Sequence, residues 1–289
     1  MYAIDIQHLQ KNYGKNIGTR DVTLSVAPGE IFGFVGPNGA GKSTTIKVLL
    51  GFIRPTGGKA EIMGLDAVKQ TKAIKAFTGY IPSDVRLYAN MRVKSLLAHN
   101  AAFYPGDVSA EAARLCALFE VDTSKAFHAL SLGNKKKVSI VCALMANPKI
   151  IILDEPTSGL DPLMQRRLFE ELKLRTTSGA TVFLSSHNLA EVQEYCDRVA
   201  LIKGGVITSV MDVPKGIAPD KIVTITGGGA APTAFECIRE DGASRVFRTA
   251  LTGRELLDVL RALNPEDFTV RNESLDERFH AFYEGGKVE

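Results

Sequence analysis

The stretch Ile31-Phe32-Gly33-Phe34-Val35-Gly36-Pro37-Asn38-Gly39-Ala40-Gly41-Lys42-Ser43-Thr44 decides how the chain is read. Its first five residues are apolar throughout, as a central strand buried on both faces should be. A glycine-rich loop follows at once, in the pattern G-x-x-x-x-G-K-[ST]. Residues 44–52 then carry Ile46, Val48, Leu49 and Leu50 in a helical context. Strand, loop and helix in this order make a phosphate cradle. Glycines let the backbone curl until its N–H groups face inward. The helix N-terminus adds partial positive charge. All of Gly36, Pro37, Asn38, Gly39, Ala40, Gly41, Lys42, Ser43 and Thr44 are therefore expected to bind nucleotide, with ATP foremost. Lys42 should reach the β- and γ-phosphates, and the Ser43 hydroxyl should ligate Mg²⁺.

A second apolar strand, Ile150-Ile151-Ile152-Leu153, ends in Asp154-Glu155. Asp154 sits where a carboxylate can hold Mg²⁺ through water. Glu155 can face the γ-phosphate and polarise the attacking water. Adjacent strand residues face opposite ways, so a bend at Pro156 is expected to re-aim Glu155. Ser158-Gly159-Leu160-Asp161 lies just beyond. A third buried strand, residues 181–186, is followed by His187. In a parallel sheet these loops emerge at the carboxyl edge, where a ligand sits. His187 can then hydrogen-bond the γ-phosphate or the water. His8, His99, His128 and His280 have no such placement.

Around these motifs, residues 1–35 alternate and turn like strands, and residues 57–62 read as an edge strand. Helical periodicity dominates residues 93–103, 110–118 and 136–145, which suggests a helical subdomain at about 85–147. Residues 162–175 and 189–196 read as helices, and 198–202 as a strand before a turn at 203–205. Residues 214–219 look like a boundary. Beyond it lie a strand at 222–226 and helices at 255–263 and 275–283. The domains expected are 1–215 and a small α+β unit at 220–289.

The 289 residues are 45% hydrophobic and 23% charged, enough for a real core. A net charge of +3 is weak support for nucleic acid, which calls for a concentrated basic face. Lys135-Lys136-Lys137 is too short for that and reads as a solvated helix face. Cys116, Cys142, Cys196 and Cys237 form no CxxC pair, which suits a reducing compartment. The opening Met1-Tyr2-Ala3-Ile4-Asp5 lacks the order of a signal peptide, and no run of about 18 apolar residues spans a membrane. A cytosolic protein is expected, with any membrane role arising through a partner.

Together the motifs resemble the ATP-binding subunit of an ABC transporter over about residues 1–215. The resemblance makes residues 36–44 the Walker A loop, 150–155 Walker B, 158–161 the D-loop and His187 the switch histidine. It makes Tyr13 the aromatic that stacks on adenine. The family signature Leu-Ser-Gly-Gly-Gln is matched by Leu130-Ser131-Leu132-Gly133-Asn134, so Ser131 and Gly133 would contact the γ-phosphate held by a partner chain. Asp161 would join the nucleotide site through the D-loop. Two departures stand out: Leu132 and Asn134 in the signature, and Ser83 where the family usually has a glutamine that contacts Mg²⁺. Serine is too short to do so directly, which leaves a water or Asp84 as substitutes.

What the resemblance implies is an α/β P-loop NTPase core. It has a mostly parallel sheet, an antiparallel N-terminal β-subdomain, an inserted helical subdomain and a small C-terminal α+β appendage. Two chains would pack head to tail around two ATP molecules. A homodimer is the simplest arrangement, and a heterodimer with a related chain is an alternative. The cofactors implied are ATP and Mg²⁺. Separate transmembrane permease subunits would hold the chain at the cytoplasmic face of the membrane. The ending Glu273-Ser274-Leu275-Asp276-Glu277-Arg278-Phe279 is similar to the tails of exporter-type subunits. Export is thus expected ahead of import. The competing classes are a soluble ABC ATPase and a regulator that binds ATP without turnover. The first usually has two cassettes or long coiled coils, and Glu155 and His187 weigh against the second.

Overall fold

The computed structural model describes residues 1–14, 16–213, 220–229, 233–242 and 244–273. The chain divides into two compact units, Met1–Val213 and Pro214–Glu289. In the first, strands β1 (Ile4–Tyr13) and β2 (Asn16–Val26) pair antiparallel, and β3 (Ile31–Val35) leads into helix α1 (Lys42–Leu49). Then come β4 (Gly57–Ile62), β5 (Leu65–Asp66), α2 (Thr71–Lys75) and β6 (Thr78–Ile81). Helices α3 (Val93–Ala101), α4 (Ser109–Leu118) and α5 (Leu132–Leu144) follow, and the chain returns through β7 (Ile150–Asp154). Helix α6 (Pro162–Thr177), β8 (Thr181–Ser186), α7 (Leu189–Tyr195), β9 (Arg198–Lys203) and β10 (Val206–Asp212) complete the unit.

Every residue of β3, β7 and β8 is buried, so these strands must be covered on both faces. They pair in parallel: β3 with β8 and with β9, β8 with β7, and β7 with β6. Among the described residues ten strands form one sheet, in the order β5-β4-β1-β2-β10-β9-β3-β8-β7-β6. Antiparallel pairing of β1 with β2 and β4 makes the N-terminal part. Aromatic packing knits the centre, with Phe183 stacked on Phe32 and tilted against Phe34 at centroid distances of 5.9 and 5.3 Å. The mixed sheet with an antiparallel N-terminal part and inserted helices is the architecture expected.

Local chemistry explains where the helices begin. Asp161 caps α6 by accepting from the Met164 N–H at 3.0 Å, and Pro162 fills the first turn, where its missing N–H costs nothing. Ser131 caps α5 by accepting from the Asn134 N–H, so this helix starts four residues before the periodicity suggested. That early start changes the reading of the lysine run. Lys136 falls on the face of Ile140 and Ala143 and is 1% exposed, instead of facing solvent.

Buried charges tie the inserted helix α4 and the end of α5 to α6. Glu171 of α6 is 3% exposed and accepts from Arg175 at 2.7 Å and from Arg114 of α4 at 2.6 Å. Arg175 also donates to the Leu144 carbonyl, the Asn147 side chain and Glu111.

In the second unit β11 (Lys221–Thr226), β12 (Glu236–Asp241), β13 (Ser244–Thr249), helix α8 (Gly253–Leu263) and β14 (Asp267–Asn272) follow one another. The sheet is antiparallel in the order β12-β13-β11-β14. Leu256, Leu260 and Leu263 recur at helical spacing and pack with Val223, Ile225 and Phe247. Arg248 bonds the buried Glu273 at 2.7 Å. The helix expected at 275–283, the tail motif after Glu273 and the boundary at 214–219 lie outside the described residues. Among the described residues, no helix is long and apolar enough to cross a membrane.

The buried charge network yields a stability prediction. Glu171→Ala removes one of the two carboxylates that Arg175 and Arg114 share, leaving them Glu111, and should destabilise the first unit by about 2 kcal/mol. The measure is the urea midpoint by circular dichroism. A midpoint equal to wild type would show that the network does not hold α4 to α6.

Candidate nucleotide-binding site

Parallel register delivers three chain ends to one edge of the sheet. Val35 of β3 lies opposite Ser186 of β8, and Ser185 lies opposite Asp154 of β7. The loop after β3 is pinned by close approach. A Cβ on Gly36 would lie 2.2 Å from the Ile202 carbonyl oxygen, so only glycine fits there. Gly39 and Gly41 take left-handed conformations with φ of 81° and 109°. The Ala40 N–H closes the turn on the Pro37 carbonyl at 3.2 Å. Lys42 is buried, and its ammonium donates to the carbonyls of Gly36 at 2.6 Å and Pro37 at 3.2 Å. The loop surrounds a cavity of about 300 Å³ lined by Asn38, Gly39, Gly41, Lys42, Ser43 and Thr44. Tyr13, half exposed at the end of β1, and Glu155 complete its wall. Gly18 permits this, because a Cβ there would meet the Tyr13 ring at 2.8 Å and Thr44 at 2.9 Å.

Asp154 is 2% exposed and accepts from the Ser185 hydroxyl at 2.7 Å. The next residue turns out of the strand by itself. Glu155 has φ of 48°, a left-handed conformation rare for a residue with a Cβ. The re-aiming expected at Pro156 is thus made at Glu155. Both of its backbone groups are held. Its N–H points to the carbonyl and the hydroxyl of Ser185, at 3.1 and 3.2 Å, and its carbonyl accepts from the Lys136 ammonium at 3.2 Å. The carboxylate lies between Lys42 and His187: Oε1 is 3.6 Å from Lys42 Nζ and 3.5 Å from His187 Nδ1. His187 stands at the end of β8, with its side chain 63% exposed. A second cavity of about 250 Å³ opens on the other side of Glu155, lined by Ser158, Gly159, Gln165, His187 and Glu191.

Not every expected residue gathers here. Ser131 and Gly133 line neither cavity of their own chain. Gly133 instead abuts the loop after Glu155, where a Cβ would lie 2.5 Å from the Gly159 carbonyl oxygen. Asp161 also lies outside both cavities and spends its carboxylate on the cap of α6. Two contributors escaped sequence reasoning, Ser185 and Lys136. The spacing from 136 to 140 and 143 was the available signal for Lys136. Burial pushes its ammonium down to about 8, against the pull of Asp154, Glu155 and Asp84. Burial and the charge of Asp154 push the Tyr80 hydroxyl up to about 12.

The cavity gathers a lysine, the hydroxyls of Ser43 and Thr44 and the Glu155 carboxylate along the glycine-rich loop. Ser43 and Asp154 supply hard oxygen donors, which fits Mg²⁺ shared with phosphate oxygens better than a metal held by protein alone.

Comparison with known proteins agrees with this chemistry. The chain matches the family model described as ABC transporter over residues 19–158. It is similar to the Nod factor export ATP-binding protein I of Burkholderia orbicola (strain AU 1054), with 31% identity over 282 residues, covering 93% of this chain and 88% of that protein. It is also similar to the probable multidrug ABC transporter ATP-binding protein of Escherichia coli (strain K12), 37% identical over 213 residues, or 72% of this chain. The match spans only 37% of the length of that Escherichia coli relative. A solved structure of an ATP-binding subunit of an ABC transporter shares 32% identity, covers 73% of this chain and 90% of its own, and superposes with a TM-score of 0.69.

The loop geometry separates two glycines by experiment. Gly36→Ala drives a Cβ into a backbone carbonyl and should weaken ATP binding at least about tenfold. Gly39→Ala meets open space and should bear only left-handed strain of about 1 kcal/mol. Titration with a fluorescent ATP analogue checks the order. Equal losses would refute the close-approach argument.

Proposed function

This chain belongs to the ABC transporter ATP-binding family, and we propose that it hydrolyses ATP to power transport through separate membrane subunits. The observation that carries the reading is the Glu155 carboxylate, poised between Lys42 and His187 at the mouth of the phosphate-loop cavity. Residues 1–215 form the ATP-binding domain, with 85–147 as its helical insertion, and 220–289 form an accessory domain.

The residues divide the work. Tyr13 stacks on the base. The backbone of residues 36–44 wraps the phosphates, and Lys42 leaves its loop carbonyls to follow the γ-phosphate charge. Ser43 and Asp154 hold Mg²⁺, which when bound neutralises charge on the phosphate oxygens. Glu155 accepts the proton of the attacking water, and His187 orients that water and the γ-phosphate. The site is completed by a second chain. Ser131 and Gly133 line neither of the two cavities that Glu155 shares, yet a hydroxyl and a side-chain-free backbone suit a phosphate oxygen. Asp161 supports the same joint by capping the helix behind it. Two copies closed around two ATP molecules, and reopened by hydrolysis, would move the permeases. The chain would then sit at the cytoplasmic face without entering the membrane. The names of the relatives favour export over import.

Two measurements test this. Glu155→Gln should bind ATP with near wild-type affinity and lose about a hundredfold or more in phosphate release, accumulating as a dimer on size exclusion. Normal turnover would remove Glu155 from its role. Lys42→Ala and Ser131→Arg should each be inactive alone. Mixed, they should regain part of the activity, because one site of a mixed dimer inherits both intact halves. A tandem-linked dimer controls for pairing. An active Ser131→Arg homodimer would sink the shared site.

A further inference from the structure

Glu155 is aimed by a backbone few residues adopt, and a side chain from another element grips its carbonyl. We propose that Lys136 is a positioning residue for Glu155. Its ammonium clamps the Glu155 carbonyl to the Pro82–Ser83 loop, and so makes the aim of the carboxylate depend on helix α5 and on that loop. The inference rests on the reading of Glu155 as the group that polarises water.

The geometry is specific. Lys136 Nζ donates to the carbonyls of Pro82 at 2.8 Å, Ser83 at 3.1 Å and Glu155 at 3.2 Å. An ammonium has three protons, and here three backbone carbonyls receive them. A charge this deeply buried is tolerable only when so satisfied, and the carboxylates of Asp154, Glu155 and Asp84 lie near enough to favour it. The three carbonyls come from two separate segments. One is the loop that follows β6, and the other is the turn that follows β7. The Pro82–Ser83 loop lines neither cavity that shares Glu155, and the Lys136 ammonium joins the two. Lys136 lies five residues beyond Ser131 on α5, so the helix that presents Ser131 also holds the carbonyl of Glu155. Without Lys136 the Glu155 carbonyl keeps only the longer bond from the Ser158 N–H, at 3.4 Å; a left-handed residue so loosely held returns readily to an extended backbone, and its side chain then swings off line.

The test separates positioning from mere support. Lys136→Met keeps length and removes every donor. Nucleotide affinity and KM should stay within about twofold of wild type, because Lys136 is outside the phosphate cavity, whereas kcat should fall about tenfold or more. Lys136→Arg should recover most of kcat. In a Glu155→Gln background, Lys136→Met should cause no further loss in single turnover, since no carboxylate remains to be aimed. Should Lys136→Met not fold, Lys136→Gln takes its place, with a loss of about threefold expected. Wild-type kcat in the Lys136 variant, with Glu155→Gln inactive, overturns the proposal and leaves the role of Glu155 intact. An undiminished further loss in the Glu155→Gln background also overturns it. Normal turnover in Glu155→Gln itself would overturn both.

Discussion

Parallel hydrogen bonding among β3, β8 and β7 fixes the directions of three buried strands, and with them the place where three loops leave the sheet. Antiparallel pairing would send alternate loops to opposite edges. Because the strands are apolar on both faces, a one-residue slip gains nothing by exposing a polar face. Register is held instead by packing, such as Phe183 between Phe32 and Phe34. The phosphate loop, the two acids and His187 are neighbours as a result of that register, although they are scattered along the chain.

At this edge the molecule accepts local strain and offsets it. A left-handed glutamate costs about 1–2 kcal/mol. Its N–H is shared by two acceptors on Ser185 and its carbonyl takes a charged donor. Hydrogen bonds to a charged group are worth about 1.5–3 kcal/mol, so the conformation is affordable where these partners exist. Lys42 is held in the same manner by carbonyls of its own loop. Two lysines thus approach Glu155 from opposite ends, one at its carboxylate and one at its backbone.

Much of this could be read in the sequence. Apolar runs ending in glycines or acids are strong local signals, so β3 with its loop and β7 with Asp154 and Glu155 were legible. What escaped depends on long-range contacts. Glu155 makes the bend itself, ahead of Pro156, with Ser185 and Lys136 bonded to its backbone. Lys136 is buried because carbonyls from remote loops receive it, which charge composition cannot reveal. Strands β12 and β14 are exposed along their whole length, so neither shows the alternation that betrays a half-buried strand. Short α2 and β6 carry too few residues for a period to emerge.

The contact between Gly133 and Gly159 has a mechanical consequence. The start of α5 touches the segment after Glu155 backbone to backbone, and less than one turn later Lys136 grips the Glu155 carbonyl. Two fixed points make a lever with no slack. In the two-fold pair proposed above, one end of the lever meets the neighbour's nucleotide and the other carries the acid that serves the chain's own. Tilting α5 away from one nucleotide would then turn the acid at the other. The two sites of such a pair would be geared together through the helix and keep common time, even though no atom is shared between them.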